Sequence, residues 1–427
     1  MKTFSGLMSI FLMGTIFIAT PLRGADAAEF EKLPTFQAAE VLGTKALQGE
    51  NFVIEPLATN DGMMNRFTVS SPDLTSKVLG NEQALERARE MTAIAVIRRS
   101  KTSTAYADGL AAAISGPLAD AKEAITNPLR TLENVPGAVE RLVGDLVSAV
   151  ANIGKDDGSG EENGLLKDLI GYSKTKRNLA HDLGVDAYST NPVLQEELSD
   201  LAWASFAGGA TIDLGLAVAT VGAGTAIGAL DRVTLSGDLL REQSASTLAN
   251  ISKQHLEAMW LVEKEVDSFL ANPHYPVSLQ TRLVQALAVI EGVRGRGDFV
   301  VLANTAANED TARFYQRTAE IIGAYHQQLN PVMEVVLRGK TVSFVTKDGR
   351  TVTPLPADYL TWTPDTAERL TGLLSATGER SLWVIGWISP ITRKQLTAAG
   401  VGVQENLFSR LVDRIEIIPT ETKSTKE

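Results

Sequence analysis

The densest basic cluster in the chain is Lys174, Lys176 and Arg177, followed one turn later by His181-Asp182. Cations grouped in this way suit contact with an anionic group on a lipid head, a glycan or a protein partner. They equally suit a solvated helix face. The chain has four histidines, His181, His255, His274 and His326. No two stand at i,i+4 spacing and none lies in H-E-x-x-H, so a local metal site is not expected. There is no G-x-S-x-G elbow, no S-x-x-K with its partner motifs and no P-loop. Gly292-Val293-Arg294-Gly295-Arg296-Gly297 has the look of a phosphate loop, but it follows the helical pattern of 278–291 rather than a strand. It reads as a flexible connection between helices. Glu257, Glu263 and Glu265 fall close together on helical sequence, and a hydrolase assembled from distant Ser or carboxylate residues stays open. No cofactor and no metal are expected.

A second segment has chemistry of another kind. Residues 201–230 carry a single charge, Asp213. Leu216, Val218 and the other large apolar residues of this stretch favour membrane insertion by about 3 kcal/mol in total. Burying Asp213 near the middle would cost about as much, so the segment does not span a bilayer stably by itself. Gly224 and Gly228 have the small-xxx-small spacing that lets helices approach closely. Ile212, Leu214, Leu216 and Val218 also alternate with Asp213, Gly215, Ala217 and Ala219, as in a hairpin with one large-residue face. The expectation is a buried small-residue helical hairpin, with membrane contact or refolding as the alternative. Asp213, Gly215, Leu216, Val218, Gly224 and Gly228 would carry it. The run YSKTKRNLAHDLGVDAYSTNPVLQEELSDLAWASFAGG from Tyr172, with WVIGWISPITRKQLTAAG from Trp383, resembles a family of uncharacterised exported proteobacterial proteins. The resemblance covers about a third of the chain and implies no activity.

Composition sets the limits around these segments. The 427 residues are 44% hydrophobic, contain no cysteine and carry a net charge of −11. Such a chain buries several cores and is neither disordered nor a disulfide scaffold. A pI near 5.1 argues against sequence-independent nucleic-acid binding, which relies on Lys and Arg neutralising phosphates, and no nucleic-acid partner is expected. At the N-terminus, Lys2, the uncharged run Leu7–Ala19 and Ala25-Asp26-Ala27 form a signal-peptide pattern, with cleavage expected after Ala27. The protein is therefore expected in the periplasm, or outside the cell.

The elements that must position any site follow from periodicity and punctuation. Residues 52–79 read as a β-meander turning at Asn60-Asp61-Gly62, followed by a helix from Asn81, its expected N-cap, to Arg99. Helix is expected over 103–153, including an amphipathic stretch at 139–153. Gly154–Asn163 is glycine-rich and acidic, a linker pattern. From 164 to 330 the pattern is almost continuously helical, punctuated by Asn191-Pro192 before a helix and by Asn272-Pro273 and Asn330-Pro331 after helices. A second meander is expected at 333–355, then a helix at 365–376 and a strand–helix–strand unit at 382–404. The chain is thus expected to be α+β and mostly α. Its divisions are a signal peptide at 1–27, an α+β unit at 28–153, the linker 154–163, a helical unit at 164–330 with the 201–230 hairpin, an α+β unit at 331–418 and a tail at 419–427. The expected role is non-enzymatic: envelope scaffolding or partner binding, the partner being an envelope protein or a membrane surface met through 201–230. A periplasmic hydrolase of peptide, lipid or glycan and a membrane-inserting toxin-like protein are the alternatives.

Overall fold

The computed structural model describes residues 30–115, 160–209, 237–338 and 341–407. The fold is mostly helical α+β, as expected. The N-terminal sheet contains β1 (Thr35–Gln37), β2 (Gln48–Gly49), β3 (Phe52–Ile54), β4 (Leu57–Asn60), β5 (Asn65–Ser70) and β6 (Thr75–Leu79), with α1 (Ala38–Leu42) after β1. All its pairings are antiparallel: β6 lies along one edge of β5, while β4 and then β3 share the other. Within the expected 52–79 meander the chain breaks its pairing at Glu55-Pro56, between β3 and β4. Proline has no N–H for a ladder, and Pro56 instead offers its carbonyl to the Ala38 N–H at 2.7 Å.

Helix α2 (Asn81–Ser100) buries Leu85, Met91, Ile94 and Ile97 against this sheet. Asn81 is not its N-cap. Gly80 takes the cap position at φ 106°, and Asn81 is the first helical residue. Then come α3 (Thr104–Ser115), α4 (Gly160–Asp182) and α5 (Pro192–Gly208). Asn191 does cap α5, its side chain accepting from the Val193 and Leu194 N–H groups. Of the expected linker, residues 160–163 already belong to α4; 154–159 lie outside the described residues, as do 139–153 and 210–236. Packing crosses that linker in space: Ala180, Leu183, Leu194, Leu198 and Leu201 of the later helices complete the core under the N-terminal sheet.

After α6 (Gly237–Glu242), a second core is built by α7 (Ala245–Glu257), α8 (Glu263–Leu270), α9 (Val277–Ala288), α10 (Arg296–Ala303) and α11 (Glu309–Gln328). Leu256, Phe269, Leu283, Phe299 and Ile322, from α7 to α11, are buried together with Val335 and Phe344 of the C-terminal sheet. The Gly292–Gly297 connection is packed rather than loose. Arg294 offers its carbonyl to the Val335 N–H at 2.9 Å, and Arg296 is buried with its guanidinium on the Val293 and Leu287 carbonyls.

The C-terminal sheet has the order β13-β11-β9-β8-β7. Strands β7 (Val332–Arg338), β8 (Thr341–Thr346) and β9 (Thr351–Leu355) form the antiparallel meander. A short parallel pair stands beside it, β10 (Tyr359–Leu360) with β12 (Trp387–Ile388). The expected single helix at 365–376 is two, α12 (Pro364–Arg369) and α13 (Thr371–Leu374). The strand–helix–strand unit is β11 (Arg380–Val384), α14 (Pro390–Ala398) and β13 (Gly402–Gln404), its strands parallel as a helical crossover requires. The third core joins these elements to Met63, Met64 and Phe30 of the N-terminal region. Phe30 belongs to a segment that runs across this unit: the Glu31 N–H donates to the Trp362 carbonyl at 2.8 Å, and its carboxylate accepts from the Trp362 N–H and the Ser389 hydroxyl.

Candidate functional site

The β4–β5 turn is one of the places where the N-terminal and C-terminal regions meet. Asn60 is buried: its Oδ1 accepts from the Gly62 N–H at 2.7 Å, and its Nδ2 donates to Asn65 Oδ1 at 2.9 Å and the Tyr359 carbonyl at 3.2 Å. Asp61 Oδ1 accepts from the Met63 and Met64 N–H groups at 3.1 and 2.8 Å. A turn held so firmly presents its outer carbonyls in fixed positions, and 358–361 dock on them. The Asp358 and Tyr359 N–H groups reach the Met63 carbonyl, and the Thr361 N–H reaches that of Gly62.

Beside this seam lies a cleft of about 720 Å³. The turn and the start of α2 form one wall, the first half of α11 another, and Pro356 and Asp358 with α12 and residues 385–387 the third. Met63, Met64, Leu79, Leu85, Phe314, Ile385 and Trp387 give it apolar surface; Asp61, Glu82, Asp310, Asp358 and Asp365 give it carboxylates. Its guanidiniums are already engaged. Arg66 meets Asp61 at 3.1 Å, Arg313 meets Glu86 at 2.7 Å and Glu309 at 2.8 Å, Arg317 pairs with Glu82 and Glu320, and Arg369 lies 5.9 Å from the centre of the Phe314 ring.

Asp358 stands apart from those pairs. Its Oδ2 accepts from the Asn65 and Asn81 N–H groups, both at 3.0 Å, so one carboxylate oxygen ties β5 and the first turn of α2 to the C-terminal region. This acceptor, from a residue 277 positions away, satisfies the first N–H of α2, one of the four that have no partner within the helix. Oδ1 takes no hydrogen bond from any described residue. Burial pushes the Asp358 carboxyl up to about 6; the two N–H donors oppose this, and the Asp61 charge adds to it. Gly386 allows the wall to close, since a Cβ there would stand 1.9 Å from the Asp358 carbonyl oxygen.

The residues singled out by sequence go elsewhere. Lys174 is exposed on α4. Lys176 donates to Ser199 Oγ at 2.9 Å, and burial lowers its ammonium to about 8. Arg177 is buried, with its guanidinium on the Arg241 and Glu242 carbonyls at the end of α6. His181 is exposed, 3.4 Å from Asp182. Arg177 and His181 do share a second cavity, of about 500 Å³, while Lys174 and Lys176 do not line it. Asp213, Gly215, Leu216, Val218, Gly224 and Gly228 lie outside the described residues. His326 accepts from the Val332 N–H, and His274 sits in an Asx turn closed by Asn272. Among the described residues no three His, Asp or Glu are grouped to hold a metal, and no helix is long and apolar enough to cross a membrane.

Glu90 lines the second cavity and is the floor of its polar network. The Ser189 hydroxyl and Asn191 Nδ2 donate to its two oxygens, and Arg87 meets it at 2.5 Å. Burial pushes its carboxyl up to about 7, against the lowering effect of Arg87. Glu86 shows the opposite outcome: burial alone would raise it, but Arg313, Arg282 and Arg89 hold it below the ordinary range. The folded chain therefore keeps a proton on Glu90 that the unfolded chain releases from about pH 4.5 upward. Its contribution to stability falls as pH rises from about 4.5 to 7 and is steady above. Glu90→Gln, which keeps the size and an acceptor, is expected to flatten the decline of Tm between pH 5 and 7.5. An unchanged slope in thermal melts across that range would remove Glu90 as its source.

The site thus belongs to a mostly helical α+β protein with a ligand-sized cleft between its terminal regions. No protein-family model, curated protein or solved structure matches the chain.

Proposed function

We propose that the chain is an exported, non-enzymatic binding protein of the bacterial envelope that seats its ligand in the cleft between the β4–β5 turn, α11 and β12. The observation that supports this reading is the cleft itself. Its volume of about 720 Å³ falls in the range of ligand sites, and its lining mixes apolar walls with a few polar groups. None of the four histidines lines it, and its arginines are held by carboxylates or by a ring, which suits holding a ligand rather than transferring protons. Export rests on the N-terminal pattern and the family resemblance.

Hydrogen–deuterium exchange on the mature chain tests the reading, with the low-molecular-weight fraction of a bacterial periplasmic extract as the probe. Protection is expected at 61–66, 310–317 and 385–387. Protection elsewhere alone, or none, would sink it. Sequencing of the secreted product is expected to begin at Ala28.

A further inference from the structure

Resting on the cleft as the ligand seat, we infer that the ligand carries an ammonium group, which pairs with Asp358 Oδ1 while Trp387 covers it from the rim. Three observations lead there. The first is the division of labour within one carboxylate: Oδ2 is committed to the Asn65 and Asn81 N–H groups, and Oδ1 is free of any described donor. A carboxylate already oriented by two backbone donors loses little freedom on pairing, so it is a prepared seat for a cation.

The second is the charge arrangement around it. The charged groups lining the cleft are Asp61, Glu82, Asp310 and Asp365 against Arg66, Arg313, Arg317 and Arg369. Asp61, the neighbour that acts on Asp358 electrostatically, is itself a carboxylate and raises its pKa. The guanidiniums on α11 and β5 are paired with Glu86, Glu309, Glu82, Glu320 and Asp61, so Asp358 lacks the cation that its burial calls for. A ligand bearing one supplies it.

The third is Trp387, which lines the same cleft although 55% of its surface remains exposed. Its strand is fixed beside Asp358 by the Trp387 N–H to the Asp358 carbonyl at 3.0 Å. An indole face next to a carboxylate attracts ammonium groups through the ring quadrupole. Met63, Met64 and Phe314 provide apolar surface for the remainder of such a molecule.

The test is calorimetry on the mature chain at pH 7.5 with three probes of one shape: phenethylammonium, 2-phenylethanol and phenylacetate. The amine is expected to bind about 10-fold or more tightly than the alcohol, and the acid least well. Asp358→Asn keeps an acceptor for the Asn65 and Asn81 N–H groups, so it retains the fold. It should lower amine affinity about 10-fold and leave that of the alcohol within about 2-fold. Trp387→Leu should weaken the amine by a smaller factor, with no such effect on the alcohol. If the alcohol or acid binds as well as the amine, with exchange protection at 61–66 and 385–387, the ammonium inference falls and the cleft reading stands. If none of the three binds while periplasmic extract still protects the cleft, the inference falls in the same way. Absence of both signals overturns the two together.

Discussion

Replacing Asp358 by alanine is expected to destabilise the protein by about 2–4 kcal/mol, whereas Asp358→Asn should cost far less. The alanine variant strands two donors, the Asn65 and Asn81 N–H groups, that share Oδ2 at 3.0 Å. A buried donor left without a partner costs about 1–3 kcal/mol. It also removes negative charge from the N-terminus of the 20-residue α2, where a carboxylate is favourable. Asparagine retains an acceptor oxygen and gives up only the charge. Urea unfolding measures the difference, and amide exchange localises it: Asn65 and Asn81 should lose protection in the alanine variant and keep it in the asparagine variant. Equal destabilisation by both would mean that charge, not hydrogen bonding, holds the seam.

Gly295→Ala is expected to be at least as damaging, at about 3 kcal/mol or more. Gly295 has φ 81°, a conformation that costs an L-residue about 1–2 kcal/mol. A Cβ there would also stand 2.0 Å from the Val335 carbonyl oxygen, so α10 and β7 would have to separate. Backbone on both sides of the contact leaves no side chain to yield. Gly292 is the control within the same six residues: its φ is 74°, yet nothing lies within 4 Å of its added Cβ. Gly292→Ala should therefore cost about 1 kcal/mol, the conformational part alone. Midpoints of chemical unfolding for the pair separate the two contributions. Equal shifts would show that close packing against Val335 adds nothing.

These two sites show what could be read from sequence and what could not. Gly292–Gly297 is visible as a glycine-rich connection after a helix. Its contact with Val335 is not, because periodicity reports which face is apolar and not which strand will arrive there. Asn191-Pro192 specified a helix start through local chemistry, a side-chain cap and a fixed φ, and α5 begins there. Asn81 misled for a related reason: the cap signal was local, but the acceptor came from Asp358. The Asn60-Asp61-Gly62 turn was equally plain in the sequence, and its role as a wall of the cleft was not. Its partner, the Tyr359 carbonyl, is 299 residues away. One signal did exist for Asp358. It is the single charged residue between Arg350 and Asp365, in a run whose strand β9 is buried throughout. The basic cluster drew attention by density, yet density says nothing of what each cation serves; Arg177 is consumed by the end of α6.

The segment from Phe30, pinned through Glu31 to Trp362 and Ser389, sets an order of events for the growing chain. Those partners lie 331 and 358 positions downstream. A ribosome adds about 5–20 residues each second, so Glu31 waits tens of seconds before Ser389 has been made. Closing so large a loop carries a high entropic cost until other contacts have brought its ends together. The helical cores can condense earlier, from neighbours in sequence. The Phe30–Glu31 segment is among the first pieces of the fold synthesised, and its contact with Trp362 and Ser389 can form only once both have been made.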